Sequence, residues 1–459
     1  MATKKQAAEQ AGPAAEQQPE PAYTPTYSTV TTAGDFGLWV SKLVLALPAP
    51  AGVNDITPAA FNVFCARHEL ADGAPLLRKE HGSERAVPSR GFVPVLAAYP
   101  SDAAGNRVER GRYAALELPE VRVTKKIEGG VLGSRCVENR FRITQLVPLP
   151  GEHEPVSGLV FEQSTGDVCP QLAGWAEGEM SQAVDGFKLK YGYYTPSFEP
   201  IPQLMAPPRE VPQKAALLVW LHGAGEGQGD TPGEPIRAYA GNRVSALSQN
   251  PIQGYFGGAA WVLVPQAPTF WMDDGVEQMG RSNESVYVRA LKACIDEFVA
   301  AHAERIDPGR IVVGGLSNGG FMTVRMCLDY PDFFAAAIPT CAPFYEENQT
   351  PEAVAALAQT PMWFVHSKGD ELVDPTETAL PLYHRLKAAG AEVHMTYFDH
   401  VEDLTGVYRE PDGRPLRTFN HGVWIHIFND FCRADLDGSA VLVDGEPVGA
   451  WEWASRQRR

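Results

Sequence analysis

The sequence predicts two domains, an all-β sandwich followed by an α/β domain with a mainly parallel sheet. The length of 459 residues exceeds what one hydrophobic core ordinarily supports. Short apolar segments alternate with turn residues from Asp35 to Val168, whereas apolar segments alternate with longer amphipathic ones after about residue 182. We therefore expect a tail at 1–28, a β domain at 29–178 and an α/β domain at 179–459.

Residues 1–28 are predicted to be a disordered tail. They are rich in Ala, Gln, Glu and Pro, and they cannot bury enough apolar surface to offset the entropy lost on ordering. Lys4 and Lys5 are followed by no apolar segment, so we expect no secretory signal. A cytoplasmic location is the prediction.

The charge and the cysteine pattern exclude several classes of partner. The formal net charge of -17 provides no positive field for nucleic acid or anionic lipid. No apolar run is long enough for a membrane-spanning helix, so no membrane partner is expected. The seven cysteines form no C-x-x-C pair, which disfavours a zinc module and a dense disulfide framework. We expect no metal and no other cofactor, and the sequence leaves the oligomeric state open.

The β domain is predicted from runs of five to eight residues separated by turn signals, which are typical of a sandwich. Examples are "LWVSKLVLAL", "GFVPVLAAYPSDAAGN" and "NRFRITQLVPLP". Its polar residues form no recognisable catalytic set. We therefore expect this domain to pack against its neighbour rather than to perform chemistry.

The α/β domain is predicted from strand-like segments that alternate with amphipathic ones, a pattern of parallel sheets covered on both faces. The segment 196–214 is too rich in proline for a helix or a central strand and is interpreted as a surface excursion. The predicted strands are 216–223, 259–266, 310–315, 334–340, 361–367 and 391–398, and the predicted helices are 285–304 and a helix ending at Gly390.

A G-x-S-x-G motif supplies the candidate nucleophile. Gly315-Leu316-Ser317-Asn318-Gly319 follows a predicted buried strand and precedes a predicted helix. In an α/β sheet this context holds the serine at a tight corner that only small flanking residues permit. Ser317 is therefore the candidate nucleophile, although the motif also occurs by chance.

A serine nucleophile needs a base and a carboxylate that orients the base. Asp370 follows a predicted strand and His421 lies on a loop before a helix-like segment, in the chain order Ser, acid, His. Asp374 remains an alternative acid and His400 an alternative base. His426 follows an apolar run and is interpreted as a packed helix residue.

The glycine-rich segment "LHGAGEGQG" at 221–229 is the candidate oxyanion loop. An oxyanion site needs two backbone N–H donors, one from the residue after the serine and one from a loop after an earlier strand. Asn318 and Ala224 are the predicted donors. The segment matches neither phosphate-binding glycine pattern, and His222 within it is interpreted as a structural residue.

These segments together resemble a known family. "LVWLHGAGEG", "RIDPGRIVVGGLSNGGFMT", "FFAAAIPTCAP", "PMWFVHSKGDELVDP", "NHGVWI" and "AWEW" are similar to bacterial α/β-hydrolase esterases with an N-terminal immunoglobulin-like domain. These are relatives of prolyl oligopeptidase and of polyhydroxybutyrate depolymerase-like hydrolases. The resemblance implies the same roles for Ser317, Asp370, His421, Ala224 and Asn318. The chain departs from the family at 318, where relatives often have Met, and in the insertion at 196–214.

Four further residues are weaker candidates. Trp271 follows a strand and is predicted to line the acyl pocket, although tryptophan is more often a core residue. Asp273 and Asp274 beside it are either loop carboxylates or contacts for a cationic substrate group. Cys341 ends a strand near the predicted site and is expected to be buried and inert.

The predicted function is a serine carboxylesterase acting on a small-molecule or polymeric ester without a cofactor. A peptidase of prolyl oligopeptidase type uses the same residues and is the first alternative. Such a peptidase usually selects its substrate with a propeller, which would need far more than the 180 residues before this domain. A non-catalytic binding protein with the same fold is the second alternative.

Overall fold

A computed structural model describes residues 23–35, 37–70, 72–79, 85–126, 134–198, 213–227 and 234–459. Most of the predicted tail and most of the proline-rich segment at 196–214 lie outside these ranges, so the predictions for them are not addressed by the structure. β1 begins at Thr26, so a strand already includes the last residues, 26–28, of the predicted tail.

The first domain is built from twelve strands in the described residues. They are β1 Thr26–Gly34, β2 Gly37–Gly52, β3 Phe61–Glu69, β4 Leu77–Lys79, β5 Ala86–Pro88, β6 Arg90–Val93, β7 Ala97–Ser101, β8 Arg110–Arg122, β9 Thr124–Lys126, β10 Ser134–Gln145, β11 Val160–Phe161 and β12 Gln163–Val168. One sheet has the order β12-β1-β2-β8-β7. The other has the order β11-β10-β3-β6, with β9 paired to β10.

The predicted sandwich is confirmed. Alternate residues of β2, including Leu43 and Leu45, point into one apolar cluster with Val63 of β3 and with Phe141 and Ile143 of β10. This alternation follows from the two-residue period of a strand with one buried face. Side chains of the two sheets therefore share one core.

The second domain contains ten strands and eight α-helices in the described residues. The strands are β13 Trp175–Glu179, β14 Lys190–Tyr194, β15 Ala215–Leu221, β16 Trp261–Gln266, β17 Ile306–Leu316, β18 Ala336–Thr340, β19 Met362–Ser367, β20 Val393–Phe398, β21 Leu442–Val443 and β22 Glu446–Pro447. The helices are α1 Ile236–Ala240, α2 Ile252–Tyr255, α3 Val288–Ala301, α4 Asn318–Asp329, α5 Pro351–Leu357, α6 Ala379–Ala388, α7 Trp424–Phe428 and α8 Ala450–Arg456.

Eight of these strands form the central sheet, in the order β13-β14-β16-β15-β17-β18-β19-β20. The strands from β16 to β20 pair in parallel, whereas β13 and β14 add an antiparallel edge. All six predicted parallel strands and both predicted helices are present. Because parallel strands run in one direction, the loops after β15, β17 and β19 meet at one edge of the sheet.

Both faces of the sheet are covered, as the apolar strands predicted. Leu217, Val219 and Leu221 of β15 belong to a cluster with α3, α4 and α6, whereas Leu218 and Trp220 belong to a cluster with α1, α7 and α8. A strand buried on both faces has no polar alternation, which explains the continuous apolar sequence of β15.

The boundary between the domains differs from the prediction at 178/179. β13 begins at Trp175 and pairs with β14, so the second domain already includes residues 175–179. β13 is a mostly exposed edge strand with the sequence WAEGE, and an exposed edge carries little apolar signal. For that reason the sequence pattern placed the change of domain too late.

The first domain packs onto the helical face that carries α1, α7 and α8. Ala33 and Leu38 belong to the same apolar cluster as those helices. Beside them, the buried carboxylate of Asp35 accepts a hydrogen bond from Arg243 Nη1 at 3.1 Å. The two domains therefore share a core and an ion pair.

None of the helices in the described residues is long and apolar enough to cross a membrane. All seven cysteines are free thiols.

Candidate active site

Ser317 lies in the turn between β17 and α4. Its backbone has φ 53° and ψ -118°, a positive φ that a non-glycine residue rarely adopts. The turn is held on both sides, because Ser317 N donates to Thr340 O at 2.9 Å and Phe321 N donates to Ser317 O at 2.9 Å. The surrounding sheet therefore maintains a strained backbone that presents the hydroxyl at the edge of the sheet.

The two glycines of the motif are required by close backbone contacts. A Cβ atom at Gly319 would lie 1.9 Å from Leu221 O, and one at Gly315 would lie 2.4 Å from Gly319 O. The end of β15 thus packs directly against the serine turn. This contact brings the loop after β15 next to Ser317.

The structure brings together the three side chains that the sequence nominated. His421 Nε2 lies 2.8 Å from Ser317 Oγ, and His421 Nδ1 lies 2.8 Å from Asp370 Oδ2. Asp370 follows β19, and His421 lies in the short turn Asn420–Gly422 before α7. Because Nδ1 donates to the carboxylate, Nε2 is free to accept the hydroxyl proton.

The carboxyl group of Asp370 is held ionised. Burial by itself raises its pKa, but hydrogen bonds from His366 and His421 outweigh that effect and hold the pKa well below its usual range. Oδ1 also accepts from the backbone N–H groups of Leu372 and Val373, each at 2.9 Å. The site therefore contains a fixed negative charge behind His421.

The predicted oxyanion donors, Asn318 and Ala224, each begin a helical turn. Asn318 begins α4, and Ala224 begins a single turn of 3-10 helix directly after β15. Among the residues that the structure describes, neither N–H group donates to an acceptor. This is expected for the first residue of a helical turn. Both residues line the same cavity as Ser317.

The side chain of Asn318 explains how the chain accommodates its departure from the family. Its Oδ1 accepts a hydrogen bond from Trp271 N at 2.6 Å, and the residue is buried. The amide thus ties the serine turn to the loop after β16.

His222 is a structural residue of the oxyanion loop, as the sequence indicated. Its Nε2 accepts from Ala267 N at 3.0 Å, and its Nδ1 donates to Gly223 O at 2.6 Å. Burial lowers the pKa of His222 to about 4, so the ring is neutral at neutral pH. The ring therefore fixes the loop rather than transferring protons.

The serine opens into a cavity of about 840 Å³ whose wall is mainly apolar. This volume lies within the usual range for sites that enclose a small organic molecule. The apolar wall consists of Leu38, Met272, Met279, Leu316, Leu372, Val373, Phe419 and Trp424. Leu372 and Phe419 are also exposed to solvent, so the apolar surface extends to the mouth.

Residues of the first domain form one side of this cavity, which the sequence did not reveal. They are Gly37, Leu38, Arg122, Thr124 and Cys136. The domain therefore contributes to the space next to Ser317, in addition to packing on the helices.

The prediction for Trp271 is wrong. Its side chain is fully buried in the core, 6.0 Å from the Tyr287 ring and 5.2 Å from the His222 ring. Met272, the next residue, lines the cavity instead. Neighbouring residues in a loop point in different directions, and the pattern after β16 did not specify which one faces the substrate.

The alternative acid and bases occupy other environments. Asp374 accepts from Thr376 in an exposed turn, and His400 Nε2 lies 3.0 Å from Glu402 Oε2. His426 is buried within α7, and burial lowers its pKa to about 4. Asp273 accepts from Thr269, and Asp274 caps its own turn. None of these contacts involves Ser317.

One group of three possible metal ligands occurs in the described residues, formed by Cys341, Asp370 and His421 within 4.8 Å of one another. Both ring nitrogens of His421 are already engaged, by Asp370 and by Ser317. Burial raises the pKa of the Cys341 thiol well above its usual value, which disfavours the thiolate that binds metals. The chemistry of this group thus fits proton transfer better than metal binding.

Two polar residues of the site escaped the sequence analysis. His366 contacts Asp370, with Nε2 3.1 Å from Oδ2. Glu226, in the oxyanion loop, accepts from Asn242 Nδ2 at 2.7 Å, and burial raises its pKa to about 7. Both lie within predicted motifs, but only the packing of distant segments determines their contacts.

Comparison with known protein families assigns both domains. Residues 208–405 match the phospholipase/carboxylesterase family, and residues 26–145 match the esterase Ig-like N-terminal domain. The second domain is thus similar to the phospholipase/carboxylesterase family over residues 208–405. This hydrolase domain, preceded by an esterase Ig-like domain, is the architecture that the sequence motifs predicted. The family match includes Ser317 and Asp370 and ends before His421.

Three relatives illustrate the match. Poly(3-hydroxyalkanoate) depolymerase C of Paucimonas lemoignei is 31% identical over 140 residues, which cover 29% of this chain and 29% of the depolymerase. Carboxylesterase SOBER1 of Arabidopsis thaliana is 28% identical over 190 residues, covering 38% and 77% of the two chains. A thermostable esterase of known structure aligns over 95% of this chain and 100% of its own, with a TM-score of 0.68 and 21% identity. This last match supports the fold of both domains together.

Proposed function

We propose that the protein is a serine carboxylesterase in which Ser317 is the nucleophile, His421 the general base and Asp370 the orienting carboxylate. The observation that carries this proposal is the continuous hydrogen-bonded series from Ser317 Oγ through His421 to Asp370, with both distances 2.8 Å, at the wall of an apolar cavity. Such a series allows a hydroxyl group to lose its proton as it attacks a carbonyl carbon.

In the acylation step, Ser317 Oγ attacks the ester carbonyl carbon and its proton moves to His421 Nε2. The imidazolium is stabilised by Asp370, which stays ionised. The carbonyl oxygen becomes an oxyanion that accepts hydrogen bonds from the N–H groups of Ala224 and Asn318. When the intermediate collapses, His421 returns the proton to the leaving alcohol, and the acyl group remains on Ser317.

In the deacylation step, water takes the position of the alcohol. His421 accepts a proton from the water as its oxygen attacks the acyl carbon, and a second oxyanion forms in the same site. Collapse releases the carboxylic acid and returns the proton to Ser317 Oγ. The cycle consumes one water and restores every protein group, so it requires no cofactor.

The apolar wall favours esters whose acyl or alcohol part is hydrophobic. Removing apolar surface from water contributes about 25 cal/mol per Å², and Leu38, Met272 and Trp424 offer such surface beside Ser317. A polymeric ester is the second candidate substrate. Similarity to a poly(3-hydroxyalkanoate) depolymerase and the exposed apolar residues Leu372 and Phe419 at the mouth both favour it.

A peptidase of prolyl oligopeptidase type is the less favoured alternative. Its usual selective element is a propeller, whereas the domain before the hydrolase domain here is a two-sheet sandwich. The departure of an amine from an amide also depends more strongly on protonation of the leaving group than the departure of an alcohol from an ester does. We therefore expect p-nitrophenyl esters to be cleaved and matched anilides to be cleaved far more slowly.

The first experiment compares wild type and Ser317→Ala on a panel of p-nitrophenyl, aliphatic and polymeric esters. Because the three residues act as a unit, the substitution is expected to lower kcat by roughly 10⁴ to 10⁶. Circular dichroism and a fluorophosphonate label on the wild-type serine serve as controls for folding and for the position of the nucleophile. Hydrolysis near the wild-type rate by Ser317→Ala would exclude the mechanism.

The second experiment tests the acid and the base with matched controls. Asp370→Asn and His421→Ala are expected to abolish most activity, since each interrupts the hydrogen-bonded series. Asp374→Asn and His400→Ala carry the same changes at residues outside this series, and we expect their kcat to stay within about tenfold of wild type. A dead His400→Ala variant together with an active His421→Ala variant would overturn the assignment of the base.

A further inference from the structure

A second imidazole, that of His366, contacts the carboxylate of Asp370. His366, in β19, is fully buried, and its Nε2 lies 3.1 Å from Asp370 Oδ2 and 3.1 Å from Val373 O. Both neighbours of this nitrogen are acceptors, so the ring must carry its hydrogen on Nε2. His366 is therefore a donor to the carboxylate and cannot be its base.

The carboxylate is saturated by donors in a fixed pattern. Oδ1 accepts from the backbone N–H groups of Leu372 and Val373, and His366 Nε2 contacts Oδ2. His421 Nδ1 lies within hydrogen-bond distance of both oxygens, 2.8 Å from Oδ2 and 2.9 Å from Oδ1. The backbone donors limit rotation of the carboxyl group. The imidazoles of His366 and His421 therefore both contact Oδ2.

The other titratable groups around this pair come from three neighbouring elements. Cys341 follows β18 and interacts electrostatically with Asp370, Asp374 lies in the turn after Asp370 and interacts with His366, and Tyr397 of β20 pairs in register with His366. Burial raises the pKa of the Cys341 thiol and of Tyr397, so both are neutral at neutral pH. His366 is thus the second side chain, beside His421, that donates a hydrogen bond to the carboxylate.

We propose that His366 is a positioning residue that orients Asp370 and moderates its charge through the Nε2–H to Oδ2 hydrogen bond. This inference rests on the proposed roles of Asp370 and His421. It goes beyond those roles because it adds a fourth member to the series and assigns it a measurable effect on the pH dependence. Hydrogen bonds to charged groups are among the strongest in proteins, and the buried setting strengthens this one.

The sign of the effect follows from the chemistry. The donor from His366 disperses negative charge on Oδ2 and makes the carboxylate less basic. Without that donor, Asp370 would interact more strongly with a protonated His421, so the imidazolium would persist to higher pH. The acid limb of the kcat/KM profile would then move to higher pH, and looser orientation of the carboxylate would lower kcat with little change in KM.

The test compares two polar substitutions at one buried position. The amide nitrogen of His366→Gln can approach the position of Nε2, whereas the shorter side chain of His366→Asn cannot. We expect His366→Gln to keep the wild-type acid limb and a kcat within about threefold of wild type. We expect His366→Asn to lower kcat by about tenfold or more and to shift the acid limb upward by roughly half a unit to one unit.

His426→Gln is the matched control, because His426 is 1% exposed and makes no contact with Asp370. His426→Gln should lose stability, as the substitution of any buried histidine does, but its pH profile of kcat/KM should not shift. Proton NMR supplies a readout that needs no turnover. The low-field resonance of the His421 Nδ1 proton should move in His366→Asn and stay in place in His366→Gln and His426→Gln.

The outcomes separate this inference from the proposed function. If His366→Asn loses activity with an unchanged pH profile and an unchanged low-field resonance, His366 only fills space and the proposal is wrong. If Ser317→Ala remains active, the esterase mechanism fails, while the resonance still reports whether His366 acts on Asp370. If His366→Asn does not fold, an unchanged resonance in a folded His366→Phe variant, which also lacks the donor, refutes the role.

Discussion

Adding a methyl group at Gly319 is expected to separate the serine turn from the oxyanion loop. The Cβ of Gly319→Ala would lie 1.9 Å from Leu221 O and 2.4 Å from Leu221 C, about 1.1 Å short of the 3.0 Å that real Cβ contacts respect. Both partners are backbone atoms, so no flexible side chain can move aside. The end of β15 and the start of α4 must therefore move apart.

The expected losses of activity and of stability follow from that displacement. Shifting a reacting group by about 1 Å lowers catalysis by roughly 100-fold, and overpacking a well-packed core costs about 1–3 kcal/mol of folding stability. We therefore expect Gly319→Ala to lose roughly 100-fold in kcat/KM and to unfold at lower urea concentration. The assays are hydrolysis of a p-nitrophenyl ester and urea unfolding followed by fluorescence.

Gly254→Ala is the matched control for this prediction. Gly254 lies within α2, and a Cβ there would be 3.4 Å from Asn250 Oδ1, an ordinary contact. Alanine is also the better helix former, by about 1 kcal/mol. The reasoning is refuted if Gly319→Ala has the stability and kcat/KM of Gly254→Ala, because the close contact with Leu221 would then have no consequence.

Three further predictions concern the domain interface and the buried histidines. A truncated chain that begins at Ala173 exposes the apolar surface that the first domain covers. Calorimetry should therefore show a lower Tm, and ester assays should show a reduced kcat/KM. Unchanged values of both would mean that the first domain is an independent module. Asp35→Ala leaves Arg243 without its buried carboxylate. We expect the free energy of unfolding in urea to fall by about 1–3 kcal/mol. A decrease of less than about 0.5 kcal/mol would contradict this. Burial lowers the pKa of His222 and of His426 to about 4, below the value of about 6.5 in an unfolded chain, so the unfolded state binds more protons between pH 6.5 and pH 4. Stability should therefore fall as pH decreases through that window, by about 1.4 kcal/mol per pH unit for each histidine. If stability depended on pH as steeply in His426→Gln as in wild type, this prediction would be contradicted.

The elements of the second domain could be predicted because their signals are local. β15 and the second half of β17, residues 311–316, are continuous buried segments without charged residues, as a strand buried on both faces requires. The G-x-S-x-G motif could be placed on a strand-to-helix turn because it follows an apolar segment and precedes a helix-like one. The contact that requires Gly319 is with Leu221, which is distant in the sequence. The edge strand β13 was missed because an exposed edge strand does not need an apolar sequence.

The side chains that line the site could be predicted only in part. Ser317, Asp370 and His421 follow predicted strands or precede a predicted helix, and the direction of parallel strands brings such loops to one edge of the sheet. Trp271 lies in a similar position, yet its ring points into the core. The direction of a loop side chain depends on what packs around it, which neighbouring residues in the sequence do not specify.

The sequence by itself determined the two-domain organisation, the order of strands and helices in the hydrolase domain and the identity of the serine, acid and histidine candidates. These properties depend on periodicity, on chain order and on residue type, which are local. The tertiary structure alone decided that Leu38 and other residues of the first domain form a wall of the cavity, that His366 contacts Asp370, and that Met272 rather than Trp271 faces the site. Each of these is a contact between segments or a choice of side-chain direction, and the energy that decides it comes from close packing, which exists only once the chain has folded.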